Sequence, residues 1–223
     1  NTITIAIIFC ILLYIAGLSY KIIGGALLIV IPLAVVFLFI VVQPDQKLIK
    51  SYQRNRIMAF LNSEDDEYSD AVNQQENSVM AIGSGQLTGK GLNNNEVASA
   101  NKGNFVSENQ TDFIFSVAGE ELGFIGCVAI LLLLLLIIFE CIRTSLRAKD
   151  TAGKIICCGV ASIVAVQGFI NVAVVTKIMP NTGTPLPFVS YGLTSMVSLY
   201  IGMGLVLNVG LQRYRTYREV EKS

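Results

Sequence analysis

LGFIGCVAILLLLLLIIF, residues 122–139, carries no charged side chain, and this run decides the fold class. A helix needs about 20 mainly apolar residues to cross the hydrocarbon core of a bilayer. Irregular, lipid-exposed backbone is not tolerated at that depth, so such a run reads as a membrane-spanning helix. Outward from it, residues 155–176 and 178–212 are also free of charge, as are 1–20 and 22–44. These gaps predict five spans, at roughly 2–19, 22–42, 115–141, 155–176 and 191–211.

The whole composition agrees. Of 223 residues, 53% are hydrophobic and 14% charged, with a mean hydropathy of +0.62. A soluble domain carries roughly 25% charged residues, and a disordered chain is more polar still. Sixteen basic residues balance sixteen acidic ones, which removes any bulk attraction to nucleic acid. The absence of His excludes His-ligated metal centres, Ser-His-Asp triads and His proton relays. Cys10, Cys127, Cys141, Cys157 and Cys158 all lie in or beside spans, with neither a disulfide framework nor metal-ligand spacing. Neighbours such as Cys157 and Cys158 point about 100° apart on a helix and read as small apolar filler. Residue 1 is an Asn that opens directly into an apolar span, so we expect the chain to lack its N-terminal part.

Loop charge sets the orientation, because basic residues near span ends favour the cytoplasm. Arg143, Arg147, Lys149 and Lys154 stand against Asp150 alone, and Arg213, Arg215, Arg218 and Lys222 crowd the tail. Both segments then face the cytoplasm, as does the turn at Lys21. The organisation that follows is two transmembrane helices over 1–42 and a long extracytoplasmic loop with an interfacial helix over 43–111. Three transmembrane helices occupy 112–223, with a re-entrant outer loop at 177–190 and a basic cytoplasmic tail.

The outer segments carry the chemistry. QKLIKSYQRNRIMAFL, residues 46–61, sets Leu48, Ile49, Tyr52, Ile57 and Phe60 among Lys47, Lys50, Arg54 and Arg56, a pattern suited to a helix lying on the membrane surface. Glu64 to Asp70 lacks the spaced ligands and the glycine of a calcium loop and reads as a solvated acidic turn. The stretch Gly83-Ser-Gly-Gln-Leu-Thr-Gly89-Lys90-Gly91 fails as a phosphate loop: position 84 is Ser where Gly is needed, and Gly91 stands where Ser or Thr is needed. Its glycines serve either a structural turn or close backbone approach to a membrane-surface ligand or another loop.

Farther on, Glu108-Asn-Gln-Thr111-Asp112-Phe113-Ile-Phe115 leads into Gly119-Glu120-Glu121-Leu122-Gly123, placing carboxylates where the chain re-enters the membrane. Desolvation there would raise the pKa of Asp112 and suit it as a base; an acid at a helix N-terminus is also a plain cap, the reading that composition alone favours. The last loop, Pro180-Asn-Thr-Gly183-Thr-Pro185-Leu-Pro187-Phe-Val-Ser190-Tyr191-Gly192, is a rigid re-entrant segment. Ser190, Tyr191 and Thr194 are expected to turn hydroxyls into the cavity it lines.

Together these two stretches resemble the SEDS family (shape, elongation, division and sporulation), which includes FtsW, RodA and SpoVE. The family signature has the form Pro-x-x-Gly-x-Pro-Leu-Pro-Phe/Leu-x-Ser-Tyr-Gly-Gly-Ser/Thr-Ser, and residues 180–195 follow it except that Leu193 replaces the second Gly. The re-entry motif, Pro-Glu-x-His-Thr-Asp-Phe-Ile-Phe followed by Glu-Glu-Leu-Gly, is matched in register, with Ser107 for the Pro and Gln110 for the His. Tyr52-Gln53-Arg54-Asn-Arg56-Ile57 and Ala81 to Leu92 resemble the same family's large loop, so the likeness runs along nearly the whole chain.

The resemblance implies a ten-span fold of which this chain covers about the last half. It also implies a peptidoglycan glycosyltransferase of the bacterial plasma membrane that polymerises lipid II for division or elongation. Asp112 corresponds to the family's catalytic Asp, as general base or as ligand to a divalent cation, Mg or Mn. Glu108, Thr111, Lys90, Arg54, Arg56, Lys177, Pro187, Ser190, Tyr191, Gly192 and Thr194 are the candidate substrate contacts. The implied partner is a class B penicillin-binding protein, a transpeptidase. Two other readings stay open: a flippase or transporter for lipid-linked precursors, and a noncatalytic scaffold that recruits the transpeptidase.

Overall fold

A computed structural model of the chain describes residues 2–19, 69–92 and 111–220, together with 21, 22, 24, 25, 28, 32, 57, 58 and 60. Among them every regular element is a helix: α1 (Thr2–Ile15), α2 (Ser69–Ser84), α3 (Ile114–Leu146), α4 (Thr151–Val175) and α5 (Leu193–Val220). Three of these, α3, α4 and the Leu193–Gln212 part of α5, are long and apolar enough to cross a membrane. The protein is an all-helical membrane protein, and the three C-terminal spans fall within a few residues of where the charge gaps put them. Most of the expected second span, 22–42, and of the interfacial helix, 46–61, lies outside the described residues.

Two elements differ from expectation. The apolar run of α1 continues to Leu18, yet the helix stops at Ile15. Gly17 takes the left-handed conformation, φ +96°. Its N–H bonds to the Tyr14 carbonyl at 3.1 Å, and the Leu18 N–H reaches back to Leu13 at 3.1 Å. That pair of bonds is a Schellman cap, which only a residue tolerant of positive φ supports. The second difference is α2, a helix inside the long loop. Its inward face is Val72, Gln75, Ser78 and Ala81, spaced for a helix but half polar. Hydropathy gives no sign of such a face.

The polar face of α2 is explained by what it touches. The last carbonyls of a helix have no intrahelical partner. At the end of α4, Val172, Ala173 and Val174 already accept from the turn that follows. Gln75 Nε2 donates to the Val174 and Met179 carbonyls, each at 2.9 Å, and Ser78 Oγ donates to Val175 at 3.1 Å. A helix docked by its amide and hydroxyl groups thus closes the end of a membrane helix.

Helix α4 is the axis of the bundle, packing on α1, α2, α3 and α5. Phe113, Phe115, Val174, Val175 and Leu186 form a core around its C-terminal end. Cys141, Cys157, Val160 and Val206 form a second core toward the α3–α4 turn, with the thiols as buried filler, as the sequence suggests. Leu132, Leu133, Leu136 and Phe139 on α3, and Val197, Ile201 and Leu207 on α5, are exposed apolar side chains that suit contact with lipid. Between helices in lipid the hydrophobic drive is weak, so hydrogen bonds and caps carry more of the specificity. One such cap is Asp150, whose carboxylate accepts from the Gly153 N–H at 3.0 Å at the start of α4. Asp150→Ala should lower stability by about 1 kcal/mol, read from a thermal melt in detergent.

Candidate active site

Asp112 lies in the turn Thr111–Phe113 that opens α3. Its side chain is half-buried, between the buried Phe113 and the half-buried Thr111. The N-cap position is Phe113, which makes no side-chain capping bond. Ser116 Oγ instead donates to the Phe113 carbonyl at 2.6 Å and tightens the first turn.

The turn is held from two sides. Asn171 Nδ2, on α4, donates to the Asp112 carbonyl at 2.7 Å and to the Thr184 carbonyl at 2.8 Å. Ser190 Oγ donates to the Thr111 carbonyl at 2.6 Å while accepting from the Leu186 N–H at 2.7 Å. The loop after α4 and the Thr111–Phe113 turn are therefore one unit, joined through α4. This corrects the expectation for Ser190: its hydroxyl is buried and turned inward onto backbone, not into a cavity. Pro187 is likewise fully buried and packs as core. Asn171 had no part in the reading of the sequence, although an Asn within an uncharged span is itself a signal.

The same loop splits into buried and open parts. Asn181 Oδ1 accepts from the Gly183 N–H at 3.0 Å, and Gly183 stands at φ +66°. Phe188, also at positive φ, meets Tyr200 edge-on at 5.9 Å. Beyond Ser190 the chain surfaces: Tyr191 is 77% exposed and Leu193 81%, with Thr194 exposed and Gly192 half-buried. Leu193, the residue in place of glycine, points away from the packed unit and meets no crowding. Lys177, at φ +59°, places its ammonium 2.7 Å from Glu76 of α2.

The glycine stretch settles onto α3. Gly123 breaks α3 with φ +68° and ψ −167°. In an unbroken helix the N–H groups of Phe124 and Ile125 would bond to Glu120 and Glu121. They donate instead to Gln86 at 2.9 Å and Leu87 at 3.2 Å, while Lys90 and Gly91 donate to the freed carbonyls of Glu120 and Glu121 at 2.9 and 3.1 Å. The loop fills the break and exchanges four bonds with it. A Cβ on Gly85 or Gly89 would collide with the backbone of α3, and one on Gly119 would press tightly on Ile82. What is observed is close backbone approach to another segment, the broken turn of α3.

Lys90 is fixed by the same contact. Its ammonium lies 2.9 Å from Glu120 Oε1, whose side chain is only 3% exposed. The charge is directed at a buried carboxylate rather than outward. Lys90→Met should destabilise by about 3 kcal/mol because it leaves a carboxylate charge in the interior. The double change Lys90→Met with Glu120→Gln should recover part of that loss, as a double-mutant cycle would measure. Arg54, Arg56 and Glu108 lie outside the described residues.

Among the described residues no three carboxylates or cysteines come together to cage a metal ion.

Residues 1–215 match the FtsW/RodA/SpoVE family model, described as cell cycle protein. A probable peptidoglycan glycosyltransferase FtsW from Geobacter metallireducens is 34% identical over 198 residues, 89% of this chain and 49% of that protein. The peptidoglycan glycosyltransferase MrdB of Escherichia coli K12 is 34% identical over 201 residues, 90% of this chain and 51% of its own. Stage V sporulation protein E of Bacillus subtilis is 40% identical over 166 residues, 74% of this chain and 43% of its own. A solved chain from a peptidoglycan synthase complex, studied for structural coordination of polymerization and crosslinking, shares the fold. Its TM-score is 0.70 at 24% identity, over 95% of this chain and 55% of that one. The chain spans about half the length of the curated relatives it matches. The chain belongs to the FtsW/RodA/SpoVE, or SEDS, family of cell cycle proteins.

Proposed function

We propose that this chain supplies the catalytic outer face of a peptidoglycan glycosyltransferase that polymerises lipid II. The observation that carries the reading is the Asp112 turn, a carboxylate-bearing turn gripped on both sides where a membrane-spanning helix begins. Relatives named peptidoglycan glycosyltransferases support it. A lipid-linked substrate keeps its tail in the bilayer and its sugar and pyrophosphate at the boundary, the level that the start of α3 suits.

The donor is an undecaprenyl-pyrophosphate-linked disaccharide pentapeptide, and the acceptor is the GlcNAc 4-hydroxyl of another lipid-linked chain. Asp112 takes the hydroxyl proton as the oxygen attacks the donor's anomeric carbon. The bond from that carbon to the pyrophosphate breaks, the electron pair leaves with undecaprenyl pyrophosphate, and a β-1,4 bond forms. Holding both substrates beside the fixed turn supplies much of the rate. A bound Mg or Mn would neutralise charge on the leaving pyrophosphate. Tyr191, Gly192 and Thr194, which surface next to the Ser190 anchor, are the proposed substrate contacts of the last loop. The proposed setting is the bacterial plasma membrane with the C-terminus cytoplasmic, paired with a class B penicillin-binding protein. A fold relative in a peptidoglycan synthase complex supports that pairing.

The test gives lipid II to the purified full-length protein with its transpeptidase and resolves glycan strands on a gel. Polymer supports the proposal. Movement of fluorescent lipid II across a vesicle membrane without polymer would replace it with the transporter reading. Transpeptidase binding with neither activity would leave the scaffold.

A further inference from the structure

We propose that Asn171 is the positioning residue of the Asp112 turn, a role that rests on the glycosyltransferase reading above. The argument starts from peptide planarity. The Thr111 carbonyl belongs to the peptide plane before the Asp112 Cα, and the Asp112 carbonyl to the plane after it. Ser190 grips the first at 2.6 Å and Asn171 the second at 2.7 Å. With both planes fixed, φ and ψ of Asp112 are fixed, and so is the direction of its Cα–Cβ bond. The carboxylate is aimed by two bonds that never touch it.

Asn171 is built for this and for little else. Its side chain is 1% exposed, out of reach of any substrate. Both hydrogens of its amide nitrogen are used, one on Asp112 and one on Thr184, so a single group ties the re-entry turn and the last outer loop to α4. Its Oδ1, with Gln167 Oε1 one turn earlier, is buried without a hydrogen-bond partner among the described residues. An amide left half-satisfied inside a membrane span is costly, and helix packing alone would be served by an apolar side chain. The donor half of the amide is what the position retains.

The experiment uses the full-length protein with its transpeptidase and three backgrounds: wild type, Asn171→Ala and Gln75→Ala. Gln75 is the control, because it also bonds near the end of α4 but touches neither Thr111 nor Asp112. Asn171→Ala should lower kcat for lipid II polymerisation by about 10- to 100-fold, the effect of misplacing a catalytic group by about 1 Å. Its KM should stay within about twofold, since no substrate contact is lost. Gln75→Ala should keep kcat within about twofold of wild type. An equal loss of kcat in both variants, or a raised KM with kcat intact in Asn171→Ala, overturns the proposal.

A second readout does not depend on activity. Asp112→Cys, in a background without the native cysteines, is labelled with a maleimide. Adding Asn171→Ala should raise the labelling rate about tenfold by releasing the turn. An unchanged rate overturns the proposal. Absence of polymer from the wild type refutes the glycosyltransferase reading instead, and the labelling rate then decides for or against Asn171 by itself.

Discussion

Asp112→Asn in the full-length protein should reduce lipid II polymerisation by about 10²- to 10⁴-fold, the range that a positioned general base contributes. The substitution keeps the shape of the side chain and the backbone carbonyl that Asn171 grips. Melting temperature and transpeptidase binding should therefore be unchanged. Asn is also the sharpest replacement for separating the two readings of this carboxylate. Asn caps helices about as well as Asp, so a capping role predicts a nearly neutral change; a proton acceptor has no substitute in an amide. If Asp112 also holds a cation, raised Mg or Mn should recover some activity in the Asn variant, because weaker ligation is offset by concentration. If it acts only as base, added metal should do nothing. Full activity in Asp112→Asn would reject both roles.

What could be read from residues alone follows the strength of each physical signal. The spans around Leu131 and Val164 were legible because a bilayer demands a long uncharged run and nothing else explains one. Cys157 was legible as filler because helical neighbours point about 100° apart, and it is buried; Cys158 is half-buried and meets Ser145 Oγ at 3.0 Å. Helix α2 was not, because Gln75 and Ser78 are buried against the terminal carbonyls of α4, a partner that no local pattern reveals. The motif residues were recognisable, but their division of labour was not. Ser190 and Pro187 look like site residues and turn out to be internal, while Tyr191 and Thr194, beside them, are the exposed ones. Lys90 looked like a cation for phosphate until Glu120, thirty positions away, proved to be its partner. These three misses are contacts between distant segments, of which local sequence carries no record; the early end of α1 at Gly17 is a local one.

The second large effect is expected at Gly123→Ala, at a position remote from the proposed chemistry. With φ +68° and ψ −167°, Gly123 occupies a region that is essentially restricted to glycine, where a side chain costs about 1–3 kcal/mol in strain. A Cβ there would also run into the Gly89 nitrogen and the Leu87 carbonyl. Strain and overlap together put the loss at about 3 kcal/mol or more. The chain has one way to relieve both: α3 closes its break, Phe124 and Ile125 return to Glu120 and Glu121, and the 86–91 loop is expelled. That route keeps the helix but strips Glu120 of Lys90 and the loop of its four bonds. The expected result is a lower melting temperature in detergent together with new protease cleavage within residues 85–92, before any global unfolding. Gly204→Ala is the matching control: it sits in α5 at ordinary φ with nothing within 4 Å of its added Cβ. It should be neutral or stabilising by up to about 1 kcal/mol through helix propensity. Equal behaviour of the two variants would mean that the loop is not clipped into the break of α3. A selective effect at Gly123 would tie the glycines of the large loop and the Glu-Glu-Leu-Gly motif to one structural purpose, which is holding the two segments backbone to backbone.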